Sequence, residues 1–261
     1  MEVRKSRVLR KLRSGEVAVS FGACLGNSRI AEIAAMSGFD CLWIEMEHMG
    51  TDWSVTESII KAAKIYDVDT LVRVSRGSYN DYIKAFELDA TGIMVPHVMN
   101  LDDAKEIIKM TRFHPIGRRP IDGGYADACY GNIEIEEYIK QANEQRFIIL
   151  QIEDFEAMEY TDAICALEGV DLIFLGPLDY SHSIGLPGKV NHPKVLEANK
   201  RVLESTIAHG KYAFASGGSL DNFRQLVNMG YKFIHVGADT TAINVYCQKI
   251  MQTIRNEVER K

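Results

Sequence analysis

Several features are scarce in this sequence, and each scarcity excludes something. No apolar run approaches the roughly 20 residues that span a bilayer, so no membrane partner is expected. No apolar stretch leads to a small-residue cleavage site, and the expectation is a cytoplasmic protein. Cysteine occurs 5 times, at Cys24, Cys41, Cys129, Cys165 and Cys247, with no CxxC pair. That scatter supports neither a disulfide framework nor a thiolate metal site, and buried reduced thiols are expected. Basic charge is also short. With 30 Lys and Arg against 36 Asp and Glu the net charge is −6, the wrong sign for a broad nucleic-acid footprint. Two glycine motifs are missing as well. No GxGxxG follows the first strand-like run and no GxxxxGK[ST] occurs anywhere, which removes support for dinucleotide and P-loop chemistry.

What is present is an ordinary globular composition, 46% hydrophobic and 25% charged, over 261 residues. The one basic stretch is amino-terminal, where Arg4, Lys5, Arg7, Arg10, Lys11 and Arg13 face only Glu2. Val3, Val8, Leu9 and Leu12 recur among them at helical spacing. A short amphipathic helix within 1–14 that packs on the body is expected, in preference to a membrane-surface helix or transit peptide.

Beyond it one rhythm repeats eight times. Short apolar runs at 17–21, 39–44, 70–74, 92–95, 147–152, 171–175, 212–215 and 232–236 alternate with helical patterns. Most runs are apolar at nearly every position, as strands buried on both faces are. Asn27, Asn100, Asn191 and Ser219 stand where helices should begin. Eight strand–helix units in one chain of this length predict an α/β protein, a single (β/α)8 TIM barrel over 1–261 with a short amino-terminal helix. Residues 112–132, with Pro115, Pro120 and four glycines, break the rhythm and are read as a structured loop on the active-site side. Met36, Met94, Met99 and Met110 sit at helix or strand spacing and are assigned to the core.

In such a barrel the reacting groups stand at the carboxyl ends of the strands. Those ends read Glu45, Glu47 and His48; Arg73 and Ser75; His97; Gln151, Glu153 and Asp154; Gly176, Pro177 and Asp179; Ser216; and Asp239. Glu153 and Asp179, from neighbouring strands, suit a hard divalent cation that prefers oxygen ligands, while helix capping by Asp154 or Asp179 is the plainer alternative. Arg73 needs an anionic partner, either Glu47 or a developing oxyanion. His48 is the natural proton shuttle of the set. The glycines after the seventh and eighth runs allow a phosphate site, against which Asp239 would work.

In these segments the sequence resembles the metal-dependent pyruvate aldolases of the HpcH/HpaI type. The resemblance runs from about residue 15 to 250. It is carried by Trp43-Ile44-Glu45-Met46-Glu47-His48, Val72-Arg73, Ile93-Met94-Val95-Pro96-His97-Val98, Pro115-Ile116-Gly117-Arg118-Arg119, Gln151-Ile152-Glu153, Leu175-Gly176-Pro177-Leu178-Asp179-Tyr180-Ser181 and Val236-Gly237-Ala238-Asp239-Thr240-Thr241. It implies Glu153 and Asp179 as ligands of Mg²⁺, Mn²⁺ or Co²⁺. It implies Gln151, Asp179 and the Leu178 backbone N–H, in the Gly176-Pro177-Leu178-Asp179 segment, as contacts to a 2-oxo acid. Arg73 then stabilises an enolate, and His48 is the general base with Glu47 beside it. The implied reaction is reversible cleavage of a 4-hydroxy-2-oxo acid into pyruvate and an aldehyde, in a trimer-of-dimers hexamer.

Members commonly carry Asp-x-Glu-His where this chain has Glu45-Met46-Glu47-His48. They also carry an acid that supports the histidine near the junction before strand four, where Glu87 and Asp89 stand and neither is assigned. No lysine falls at a strand's carboxyl end, which disfavours a Schiff base. Alternative functions are a citryl-CoA-type lyase, an oxaloacetate decarboxylase, or a non-catalytic metabolite-binding barrel.

Overall fold

Each apolar run becomes a strand that pairs in parallel with the next, and the eighth returns to the first. The computed structural model describes residues 1–259. The strands are β1 (Ala18–Ala23), β2 (Cys41–Glu45), β3 (Asp69–Arg73), β4 (Gly92–Val95), β5 (Phe147–Ile152), β6 (Leu172–Leu175), β7 (Tyr212–Ser216) and β8 (Phe233–Ala238). They close into a barrel in chain order, with β8 beside β1. Around it lie α1 (Arg7–Arg13), α2 (Ser28–Met36), α3 (Trp53–Lys64), α4 (Tyr79–Glu87), α5 (Leu101–Thr111), α6 (Ile135–Gln145), α7 (Thr161–Cys165), α8 (Pro177–Ser183), α9 (Pro193–Ala208), α10 (Leu220–Met229) and α11 (Asp239–Glu259). This is the (β/α)8 architecture expected. Asn27, Asn100 and Ser219 cap α2, α5 and α10 with their side chains, whereas His192, not Asn191, caps α9.

Strand alternation sorts the apolar residues into two layers. Leu42, Ile44, Val72, Ile148, Leu150 and Ile173 face the helices, and Trp43, Leu71, Ile149, Phe174, Phe214 and Phe233 fill the barrel. Val8, Leu9 and Leu12 of α1 join the inner layer, so the amino-terminal helix plugs the barrel's amino-terminal end. Ser6 caps it by accepting a hydrogen bond from the Leu9 N–H.

Within this chain the 112–132 loop is anchored near the strand beginnings. The Arg112 guanidinium donates to the carbonyls of Arg146 (2.8 Å) and Gly169 (2.9 Å), next to the starts of β5 and β6. Phe113 and Ala128 pack with Val3, Ile133 and Tyr138. The reason is topological: α5 has already returned the chain from the strand ends to the strand beginnings. Two expectations need correction. The thiols divide, with Cys41 and Cys165 buried, Cys24 and Cys129 half-buried and Cys247 exposed. Met94 is buried, but Met36 lies exposed on α2.

α11 leaves the barrel. From Thr241 to Val258 its side chains are exposed, including Ile243, Tyr246, Ile250 and Ile254. Among the described residues no helix is long and apolar enough to cross a membrane.

Candidate active site

The inward parity of each strand, carried one step past the packed rings, selects the mouth. Trp43 is followed by Glu45, Leu71 by Arg73, Ile149 by Gln151 and then Glu153, Phe174 by Gly176, Phe214 by Ser216, and Phe233 by His235. Apolar side chains thus seal the barrel below, and polar ones crown it.

Glu153 is deeply set, with a side chain only 1% exposed. Its Oε1 accepts the backbone N–H of His97 at 2.9 Å, and its Oε2 accepts from the Gln151 amide. Gly176 makes room for it: a Cβ there would strike Glu153 and come within 3.1 Å of Gln151 Nε2. Burial raises the Glu153 pKa, and the negative charge of Asp179 raises it further, against the hydrogen bonds from His97 and Gln151. Asp179 stands half-buried in the first turn of α8, which opens at Gly176 with no side-chain cap. Pro177 takes the first helical position, where a missing N–H costs nothing, and Leu178 is 59% exposed.

His97 follows β4 in a left-handed conformation, φ 50°. Its Nδ1 meets Asp154 Oδ2 at 2.9 Å, and its Nε2 lies 3.7 Å from Glu47 Oε1. Burial opposes a charge on this ring, but the bond to Asp154 and the charges of Glu153, Asp154 and Glu47 outweigh it and raise the pKa. Asp154 therefore serves His97, and its expected capping bond is not made.

Arg73 meets the expected Glu47 and has a second, closer partner in Glu45. Glu45 Oε2 accepts from Nε at 2.7 Å and lies 2.6 Å from Nη2, while Glu47 Oε2 is 3.2 Å from Nε. Glu45 and Arg73 are paired residues in the β2–β3 ladder, so their side chains leave the same face side by side. Glu45 Oε1 also accepts the N–H groups of Glu47 (2.8 Å) and His48 (3.2 Å), which fixes the turn that carries both. His48 is 61% exposed, and its Nε2 is 3.6 Å from Glu47 Oε2.

Other candidates fall away. Asp239 is buried and accepts the N–H groups of Cys24 and Leu25, each at 3.0 Å, so it shapes the turn after β1 and leaves no phosphate cradle. Asp89 pairs with Arg146 and Lys64 near the strand beginnings, and Glu87 faces Arg119 and Asp127. Within this chain neither lies beside His48; the carboxylate beside that ring is Glu47.

Among the described residues no three His, Cys, Asp or Glu side chains form a ready metal cage. Glu153 and Asp179 nevertheless fit a hard cation in an open site. Their like charges oppose each other's ionisation, and the neighbouring Gln151 Oε1 is buried with no hydrogen-bond partner among the described residues. Glu45 and His97 carry no role from sequence, and Asp154 only a capping one. The shared parity of Glu45 and Trp43 signals the first, but nothing local links His97 to Asp154, 57 positions away.

Residues 23–244 match the family described as HpcH/HpaI aldolase/citrate lyase. The chain is 31% identical over 234 residues to a 2-keto-3-deoxy-L-rhamnonate aldolase of Escherichia coli O17:K52:H18, covering 88% of this chain and 86% of that one. It is 30% identical over 243 residues to a hydroxypyruvate/pyruvate aldolase of Pseudomonas aeruginosa, covering 93% and 90%. Among solved structures, the citrate synthase SbnG superposes with a TM-score of 0.88 at 26% identity, covering 96% and 98%.

Proposed function

Because the chain belongs to the HpcH/HpaI aldolase/citrate lyase family, we propose that its acidic barrel mouth is the active site of a divalent-metal-dependent pyruvate aldolase. The substrate is a 4-hydroxy-2-oxo acid, cleaved reversibly to pyruvate and an aldehyde. The observation that carries this reading is the buried Glu153 beside Asp179, two like charges with no lysine or arginine paired to either among the described residues.

Glu153 and Asp179 would hold the cation, with Mg²⁺, Mn²⁺ and Co²⁺ as candidates. When bound it supplies Lewis-acid polarisation of the 2-oxo carbonyl. The protein's own groups do the rest. His48, steered by Glu47, takes the proton from the C4 hydroxyl. The C3–C4 bond then breaks, its electrons pass toward the C2 oxygen, and the C4 oxygen becomes the aldehyde carbonyl. Arg73, held by Glu45 and Glu47, keeps Nη1 free of partners among the described residues and donates to that developing negative oxygen. A preorganised donor of this kind contributes about 3–4 kcal/mol to the transition state. Gln151 retains a second amide hydrogen for the substrate carboxylate, and the unbonded backbone N–H of Leu178, at the start of α8, serves the same end.

The protein is read as a cytoplasmic hexamer, a trimer of dimers, and the apolar side chains of α11 are the surface such an assembly would cover. Replacing Glu153 or Asp179 with Ala should abolish metal-dependent pyruvate release from a 4-hydroxy-2-oxo acid. Full activity in either variant would end this assignment. A citryl-CoA lyase would instead consume acyl-CoA substrates in the same assay series.

A further inference from the structure

The half of the mouth across Arg73 from Glu153 is hollow. A cavity of about 250 Å³ lies there, lined by Gly22, Cys24, Trp43, Ser216 and His235 together with the Glu45–Arg73 pair. At ~30 Å³ per water, it holds about eight waters or a short carbon chain. Gly22 keeps one wall bare, because a Cβ there would come within 2.7 Å of Ala238 Cβ.

The polar groups around this space are short of partners. The Trp43 indole Nε1–H is buried with no acceptor among the described residues. The Ser216 hydroxyl is exposed and bonds to nothing among the described residues. His235 meets Ser20 Oγ through Nδ1 at 3.2 Å and stacks edge-on against Trp43, centroids 4.7 Å apart, which leaves its other nitrogen unbonded. Burial and the charge of Arg73 keep that ring neutral, its pKa pulled down to about 4.

A neutral imidazole, an indole N–H and a hydroxyl match alcohol groups. An anion would face Glu45, and Arg73 already has two carboxylates. A purely apolar chain would leave the Trp43 and His235 nitrogens unpaired.

We propose that this cavity receives the aldehyde half of the substrate and selects aldehydes with hydroxyls beyond the carbonyl carbon, through Ser216, His235 and Trp43. This rests on the aldolase reading above, in which the Glu153–Asp179 side holds the pyruvate half.

The test is aldol addition of pyruvate to glyceraldehyde and to propanal, aldehydes of equal carbon number, by the metal-loaded full-length protein. The ratio of their kcat/KM values is compared between the parent protein and the variants Ser216→Ala and His235→Phe. Intrinsic electrophilicity is common to all three proteins, so a change in ratio reports contacts with the protein. We expect the parent to favour glyceraldehyde at least tenfold, and each variant to lower that preference about fivefold or more, as losing a hydrogen bond to a substrate hydroxyl should. Ser216 is exposed, so its variant keeps the test sound if the buried His235 replacement disturbs packing. A parent ratio near one, or a ratio unmoved by Ser216→Ala, overturns the subsite. Exchange of pyruvate methyl protons by the parent protein is the separate control. Exchange without aldehyde preference removes only the subsite; no exchange removes the pyruvate reading and the subsite with it.

Discussion

The two ends of this barrel treat their carboxylates in opposite ways. At the amino-terminal end every buried acid is closed by cations. Asp69 meets Arg4 at 3.2 Å and accepts from Ser6 Oγ and the Val8 N–H. Asp40 meets Arg7 at 2.9 Å and Lys11 at 2.8 Å, and Asp89 meets Arg146, Lys64 and Arg4. At the mouth, Glu45, Glu47, Glu153, Asp154 and Asp179 share one arginine, Arg73, and two histidines. The first arrangement is complete and serves stability. The second carries surplus negative charge that no nearby side chain neutralises, and a bound cation would complete it.

The contrast breaks most sharply under substitution. Glu153→Gln, or Asp179→Asn, should lower catalysis at least a thousandfold, about 4 kcal/mol or more on the barrier. The same change relieves repulsion, so thermal melting should show no loss of stability in metal-free protein. Arg146→Met at the other end should behave in reverse. It leaves Asp89 without its buried partner and should cost about 3 kcal/mol of stability, read as a drop in denaturant midpoint. A destabilised Glu153→Gln, or a fully stable Arg146→Met, would erase the distinction.

Within the mouth, Arg73→Ala should lower kcat about a hundredfold or more and leave metal affinity nearly unchanged, as titration calorimetry would report. An equal loss of metal binding would instead make Arg73 a structural clamp for Glu45 and Glu47. A more gradual effect concerns pH. Folded His235 stays neutral down to about 4, whereas the unfolded ring takes a proton below about 6.5. The unfolded state therefore binds more protons across that window, and stability falls as pH drops through it, by up to about 3 kcal/mol. His235→Gln should flatten this part of the melting-temperature profile, and an unchanged slope would show that the ring does not titrate as its burial dictates.

Much of this was readable from the chain. Strands buried on both faces must be apolar throughout, so all eight stood out, with boundaries within two residues. The strand-end acids and Arg73 followed from them. The pairing of Arg73 with Glu45 was missed because Glu47 stands nearer His48 in the motif. Parity with Trp43 carries that information, and the ladder register enforces it. The contact of His97 with Asp154 depends on β4 lying beside β5, a tertiary fact no local pattern encodes. The composition of 112–132 says that a loop is built, but not where its ends are anchored. The departure of α11 from the barrel was equally invisible, since its apolar residues are spaced like those of any packed helix.

The most direct test incubates the protein with pyruvate in D₂O and follows the methyl proton signal by NMR, with Mn²⁺ or Mg²⁺ added or chelated. The expected result is exchange that needs the metal, stops with chelator and is lost in Glu153→Gln. Exchange that persists in chelator, or none with any metal, would contradict the claim that the acidic mouth binds a cation to enolise pyruvate.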